Sequence, residues 1–434
     1  MKIKLLLATL GAILLSGCQS DDERPTLVVQ RFFGECGAVY GKSIDVGKAE
    51  TECGIVTTML NRFAAENPDI NVKVNIVAWP GYAQLSAQIA AGDPPDLVTM
   101  HQSVISDYQA RSLLEPLDEM LADAGITTEM LTPAGQRGTI KDGRLYALPW
   151  DTIGRLWHIN TALMAEAGLM RNGKPLLPRN PEELIDHARK FKAATGKPYL
   201  VQAQVAAPDY LVANLYTYLL AQNAVVFPDA RHIRLNTPEA RKIVGLYRTL
   251  NEEKLTTVAQ DFPSATANFV NGGGGIFPTG TWMIGPYEEA ARSGTSALKG
   301  YAVAPFPQLW GQSAAFVDGH GWVVPKDDRS SAERKAIVRF LSFLARYNSD
   351  WTRTGHLPAF NAVLSSSSFT QQPHRRDIAT MAATGQQLPG FVQRQSAIQG
   401  LIGEELEAAV SGVKPIDRAL ADAERRVNEL LSQI

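Results

Sequence analysis

The chain has 434 residues, with 42 lysines and arginines against 44 aspartates and glutamates, a formal charge of −2 at pH 7, and 45% hydrophobic residues. That length exceeds what one hydrophobic core usually serves and suits two domains. The near balance of charge, with no long run of one sign, offers no footprint for nucleic acid or for an anionic surface.

Lys2 and Lys4 precede an apolar run from Leu5 to Leu15, which leads into Leu15-Ser16-Gly17-Cys18. A positive start, an apolar stretch too short to span a bilayer and small residues before a cut form the pattern of an export signal. The cysteine directly after Ser16-Gly17 resembles a bacterial lipobox, in which Cys18 is diacylated and becomes the mature N-terminus. On this reading residues 1–17 are the signal peptide, 18–25 a lipidated tether, and the protein is exported and held to a membrane surface. Loss of Lys2 and Lys4 takes the formal charge to −4. The two other cysteines, Cys36 and Cys53, then form an even pair that an oxidising compartment closes into one disulfide loop. A metal or a reactive thiol lacks support there, because no second Cys or His stands at ligand spacing.

Thr26 to Gln30 reads as a buried first strand that opens into a loop with Phe32, Phe33 and Gly34. Ile55, Met59, Leu60 and Phe63 recur at helical spacing, and Asn67-Pro68 stops that helix. Ile70, Val72, Val74 and Ile76 alternate with polar residues as in a half-buried strand. A helix over Tyr82 to Ala91 ends at Gly92-Asp93-Pro94-Pro95, and the strand Asp96 to Met100 follows. Alternating strands and helices predict a mostly parallel sheet covered on both faces, with ligands at the carboxyl ends of the strands. The pattern restarts at Leu145 to Leu148 and Leu156 to Ile159, with helices predicted from Pro181 to Lys192, from Pro238 to Leu250 and after Pro415. No other window is apolar for the ~20 residues that a spanning helix needs.

Several segments in order are similar to one family. They are Asn61 to Pro68, Ala90-Ala91-Gly92-Asp93-Pro94-Pro95-Asp96-Leu97-Val98, Leu113 to Leu117, Asp142 to Thr152, Gly280-Thr281-Trp282, Gly319 to Pro325, and Thr354 to Pro358. Together they resemble the bacterial extracellular solute-binding proteins of the maltose-binding type, which serve ABC importers. The resemblance implies an α/β fold of the two-lobed periplasmic-binding-protein class (type II, maltose-binding-like) with a hinged interlobe cleft. It places one lobe at 26–151 plus 320–346 and the other at 152–319 plus 347–434. It also implies a carbohydrate ligand, the permease subunits of an ABC importer as partners, no cofactor and a monomer.

A sugar site needs a flat aromatic against the ring face and planar polar side chains around its rim. Trp79 and Tyr82 follow a strand, and His101 and Gln102 leave the next one, where relatives place ligand contacts. Asp151 falls at the first predicted crossing between lobes, and Asp318, Gly319 and His320 at the second. Trp282 follows Gly280-Thr281 where relatives commonly offer a stacking tryptophan. Phe33 is a further candidate, with Glu35, Asn214, Tyr216, Arg353 and Gln399 weaker ones.

Two other readings compete. Asp151, Glu35 and Asp318 are possible carboxylates of an exported carbohydrate-active enzyme, although no nucleophile elbow of the form G-x-S-x-G occurs. Arg31, Arg155 and Arg353 keep open a receptor for a phosphorylated polyol or other polar solute. The run Gly272 to Gly275 lacks the Lys and Ser/Thr of a phosphate loop and reads as a turn. Seven scattered histidines without an H-E-x-x-H pattern predict no metal.

Overall fold

The computed structural model describes residues 24–434. Cys18, the signal and the tether up to residue 23 lie outside the described residues. Strand β1 (Thr26–Arg31) is followed by helix α1 (Thr51–Glu66), strand β2 (Asn71–Ile76), helix α2 (Tyr82–Ala91) and strand β3 (Leu97–His101). β1 pairs in parallel with β2 on one side and β3 on the other, as strand–helix–strand connections require. Gly92, left-handed at φ +73°, ends α2 at its expected residue.

The remaining strands are β4 (Leu148–Pro149), β5 (Asp151–Asn160), β6 (Ile276–Gly280), β7 (Tyr301–Ala304), β8 (Val317–Asp318), β9 (His320–Val323) and β10 (Leu357–Pro358). The first sheet runs β2-β1-β3-β9-β4, with β9 antiparallel to both of its neighbours. The second is built on β5, flanked by β6 and β7 and met over its first four residues by β8 and β10, all antiparallel to it. The parallel arrangement expected from the sequence therefore holds for β1 to β3 and not for the second sheet. There, β5 is a ten-residue strand entering from the first lobe, and its partners return towards that lobe.

Each sheet has its own core. Leu27, Val29, Ile55, Met59, Phe63, Leu97, Trp150, Trp322 and Phe340 pack in one, joined by Trp351 and Phe360 from late in the chain. Trp157, Ile159, Phe191, Tyr199 and the buried faces of five long helices form the other. Two of those helices, Pro181–Thr195 and Pro238–Glu252, start as their sequence predicts: the side chains of Asn180 and Thr237 accept from the backbone N–H three residues on. The last helix spans Ile416–Leu431 and buries Leu420, Val427 and Leu431.

One expectation about burial fails. β2 is the edge strand of its sheet, and Val74 and Ile76 are 40% and 38% exposed. Alternation identifies a strand but does not supply a layer to cover its apolar side. The glycine run is a turn before β6, and Gly275 is required by packing, since a Cβ there would lie 2.7 Å from the Phe191 ring.

Cys36 and Cys53 are joined by a disulfide, with Cα atoms 6.1 Å apart and a sequence separation of 17. Loop-closure entropy for that spacing is worth about 3 kcal/mol. Replacing both by alanine is expected to lower the unfolding free energy by about that amount in urea titrations, with a larger m-value as the unfolded chain expands.

His158 lies on β5 with no exposure. Its Nε2 is 3.1 Å from the Gly280 carbonyl, which can only accept, so Nδ1 at 2.6 Å takes the Tyr301 hydroxyl proton. Burial, reinforced by the nearby His374, lowers its pKa to about 3, so the folded ring is neutral where an unfolded one would be charged. The unfolded state thus binds one more proton between pH 3 and 6.5, and the stability this site contributes is lost as pH falls through that window. The His158→Gln variant is expected to show a shallower acid loss, by about 1.4 kcal/mol per pH unit around pH 5, in chemical denaturation across pH.

Candidate functional site

The carboxylate of Asp151, the first residue of β5, is completely buried. Its Oδ1 accepts the backbone N–H of His320 at 2.7 Å, and its Oδ2 lies 2.8 Å from His320 Nδ1 and 2.7 Å from Trp351 Nε1. Burial alone would raise the carboxyl pKa, but the charge of His320 and these hydrogen bonds together lower it to about 2. Burial likewise opposes the charge on His320, yet Asp151 wins and raises the imidazole pKa above its ordinary value. Gln102 donates to the carbonyls of Asp151 and His320 at 3.1 and 3.2 Å and accepts from Gln387 at 2.7 Å. Asp318 accepts from the backbone and hydroxyl of Ser103 at 3.0 and 2.6 Å and from the Gly319 N–H at 2.8 Å. Gln102, Asp151, Asp318, Gly319 and His320, five of the residues singled out in the sequence, thus knit together the places where chain passes between the sheets.

The other candidates of the first lobe gather at the ends of β1, β2 and β3. The Tyr82 hydroxyl accepts the His101 backbone N–H at 2.9 Å and stands 2.7 Å from His101 Nδ1, to which it gives its own proton. Burial, together with the charge of His320 nearby, lowers the His101 pKa to about 3. The ring is therefore neutral, with its hydrogen on Nε2. It stacks on Phe32 at 5.3 Å and meets the edge of Trp79 at 5.9 Å. Trp79 is 71% exposed, an unusual state for so large an apolar surface. Phe33 is instead wedged between Trp150, His320 and Trp351, each 5.1–5.7 Å from its ring.

A second aromatic group forms at the far end of β6. Trp282 follows that strand, and its ring lies against Gly280, where any Cβ would meet it at 2.0 Å. Gly280 pairs with Arg155 on β5, whose guanidinium sits 3.8 Å from the Tyr210 ring centroid and 5.1 Å from that of Trp282. Arg155 is hydrogen-bonded to Asp209, the residue before Tyr210 at the start of helix Pro208–Ala221. Sequence reasoning named Arg155 only as a possible anion contact and missed Asp209 and Tyr210. The available signal was that Asp151 and Arg155 are an even number of positions apart on one strand, so both face one side. Asn214 and Tyr216 are buried in the same helix.

The other arginines raised by the sequence are committed elsewhere. Arg31 is buried and donates to the carbonyls of Phe32 and Gly34 and to Thr57. Arg353 donates to the carbonyls of Val46, Gly47 and Ala49. A cavity of about 360 Å³ between Leu211, Asn251, Val258 and Val410 shares no residue with either aromatic group. Asp151, His320 and His356 each offer a ligand atom within 4.8 Å of the others, the one such cluster among the described residues.

Residues 54–346 match the bacterial extracellular solute-binding protein family. The chain is 24% identical over 404 residues to the sn-glycerol-3-phosphate-binding periplasmic protein UgpB of Escherichia coli K12, an alignment that covers 87% of this chain and 89% of that protein. Among solved structures it is similar to the sugar-binding protein MalE of Xanthomonas citri, with 18% identity, TM-score 0.77 and coverage of 94% and 98%. It is also similar to the cyclic alpha-maltosyl-1,6-maltose binding protein of Arthrobacter globiformis, with 22% identity, TM-score 0.74 and coverage of 95% and 100%. These likenesses identify the fold as the two-lobed, maltose-binding-like one.

Replacing Asp151 by asparagine puts an N–H group among donors and removes the charge that His320 faces. A broken buried pair of this kind costs about 3–5 kcal/mol. The Asp151→Asn variant is expected to lose stability on that scale in urea titrations, and a loss below 1 kcal/mol would contradict the assigned role.

Proposed function

We propose, for a chain that belongs to the bacterial extracellular solute-binding protein family, that it is the substrate-binding component of an ABC importer and captures a carbohydrate between its lobes. Trp79 with His101 on the first lobe, and Trp282 with Tyr210 on the second, supply the aromatic faces and planar donors that sugar rings need. Contacts to both lobes favour a closed state, which the membrane permease then receives. Cys18 anchors the monomer to the membrane, and the five hinge residues position the lobes.

The observation that carries the choice of a neutral sugar is the pairing of Arg155. Its charge is already offset by Asp209, while Arg31 and Arg353 are spent on backbone carbonyls. A phosphate dianion would still meet the unpartnered Nη1 of Arg155 and, nearer the hinge, Lys141 buried beside Asp318, so Asp209 reduces the positive charge there rather than removing it. The similarity to a glycerol-3-phosphate-binding protein over 87% of the chain favours the rival reading, a phosphorylated polyol. Chemistry at Asp151 is disfavoured because its carboxylate accepts from the His320 backbone, the His320 imidazole and the Trp351 indole, which hold it ionised.

Thermal unfolding of residues 19–434 against mono- and oligosaccharides and glycerol 3-phosphate tests this directly, since a ligand at a hundredfold excess over Kd stabilises by about 2.7 kcal/mol. A shift with a neutral sugar is expected; a shift with glycerol 3-phosphate alone would establish the rival. For the bound sugar, Trp282→Ala and Trp79→Ala are each expected to weaken binding by about fivefold or more, equivalent to about 1 kcal/mol, in titration calorimetry.

A further inference from the structure

Among the histidines at the hinge, His356 has a buried ring nitrogen without a partner. It has no exposure, and its ring stacks on Trp351 at 5.4 Å. Its Nε2 lies 2.7 Å from Glu52 Oε1 on the first turn of α1. A carboxylate can only accept, so Nε2 carries the hydrogen and, in the neutral imidazole, Nδ1 carries a lone pair. That Nδ1 is buried and has no hydrogen-bond partner. A buried acceptor with nothing to accept costs about 1–3 kcal/mol, and a well-packed hinge is a poor place to leave one.

A carboxylate on the outer nitrogen and a bare inner nitrogen is the arrangement that orients a metal-ligating histidine. Two further ligand groups stand beside it. The Asp151 carboxylate and the His320 imidazole are 0% and 5% exposed, and one ligand atom from each of the three residues falls within 4.8 Å of the others. Asp151 has its own outer support, the Trp351 Nε1–H at 2.7 Å.

We propose that Asp151, His320 and His356 form a binding site for a divalent transition-metal ion, with Glu52 and Trp351 as the outer groups that orient His356 and Asp151. Two imidazole nitrogens and one carboxylate oxygen, with a fourth position open, suit zinc. The ion takes the place of the hydrogen that now joins His320 Nδ1 to Asp151, and that proton leaves to solvent. Ligand atoms around a tetrahedral zinc stand roughly 3.3 Å apart, so binding the ion draws the three groups together by up to about 1.5 Å. The ion would tie together the segments that begin at Asp151, His320 and Trp351, so its effect falls on the hinge and is independent of which solute the cleft takes.

The test is equilibrium dialysis of the chelator-treated protein against micromolar zinc, with elemental analysis of bound metal and thermal unfolding with and without zinc. One zinc per chain and a raised melting temperature are expected. His356→Gln is expected to weaken zinc binding by at least about tenfold, and Glu52→Gln by about 10–100-fold. Circular dichroism and melting of both variants without metal show whether they remain folded, and Glu52 is exposed enough that its variant keeps the test valid should His356→Gln not fold. Absence of stoichiometric zinc in the unaltered protein, or zinc bound equally well by a folded Glu52→Gln or His356→Gln variant, would overturn the site.

Discussion

The rest of the structure depends on one buried carboxylate. Asp151 receives the His320 backbone and imidazole and the Trp351 indole, while its own carbonyl receives Gln102. These donors come from three stretches of chain that lie between the two sheets. An ionised carboxylate without them would be excluded from so dry a position. Its geometry also dictates the neighbouring sequence. A side chain at residue 319 would place its Cβ 2.4 Å from the Asp151 carbonyl, so only glycine lets the returning strand approach. Trp150, just before Asp151, is in turn held from both sides: its N–H donates to the His320 carbonyl at 2.8 Å and its carbonyl accepts from Asn348 at 2.6 Å.

In the proposed site this division of labour leaves few polar side chains for a solute. The hinge spends Gln102, Asp151 and His320 on one another and Asp318 on Ser103 and Gly319, leaving the strand ends on either side to present mainly rings. A neutral His101 fits that setting. Its proton is forced to Nε2 by Tyr82, and a second charge 4.7 Å from the His320 ring would be repelled. A site of rings with a few directed donors discriminates by shape and hydrogen-bond geometry more than by charge.

Much of the architecture is legible in the sequence because it is local. Asn180 and Thr237 cap their helices, Gly92 stops α2, and the apolar spacing of α1 and of the last helix marks their buried faces, all within a few residues of the feature concerned. What escapes is set by partners far away in the chain. Val74 and Ile76 alternate correctly, yet their exposure depends on the strand order of the sheet. Asp151, Asp318 and His320 were placed at crossings by resemblance, but that they satisfy Ser103, Trp351 and one another depends on contacts across as many as 215 positions. His356 lies in the resembling segment Thr354 to Pro358, but nothing in the sequence pairs it with Glu52 or Asp151, neither of which lies near it.

The stapled loop shows how a local feature reaches the hinge. The Cys36–Cys53 bond closes the chain between β1 and α1, and that loop presents the carbonyls of Val46, Gly47 and Ala49 to Arg353 while α1 presents Glu52 to His356. Arg353 and His356 lie just after Trp351, the residue that donates to Asp151. The loop therefore docks on the same late segment that the buried carboxylate binds from the other side. Without the covalent closure, ordering the 16 residues between the cysteines to present three carbonyls would cost about 1–2 kcal/mol per residue in backbone entropy, more than three charge-assisted hydrogen bonds return. Restricting the unfolded loop reduces that cost, so the disulfide stabilises one wall of the hinge rather than the loop alone.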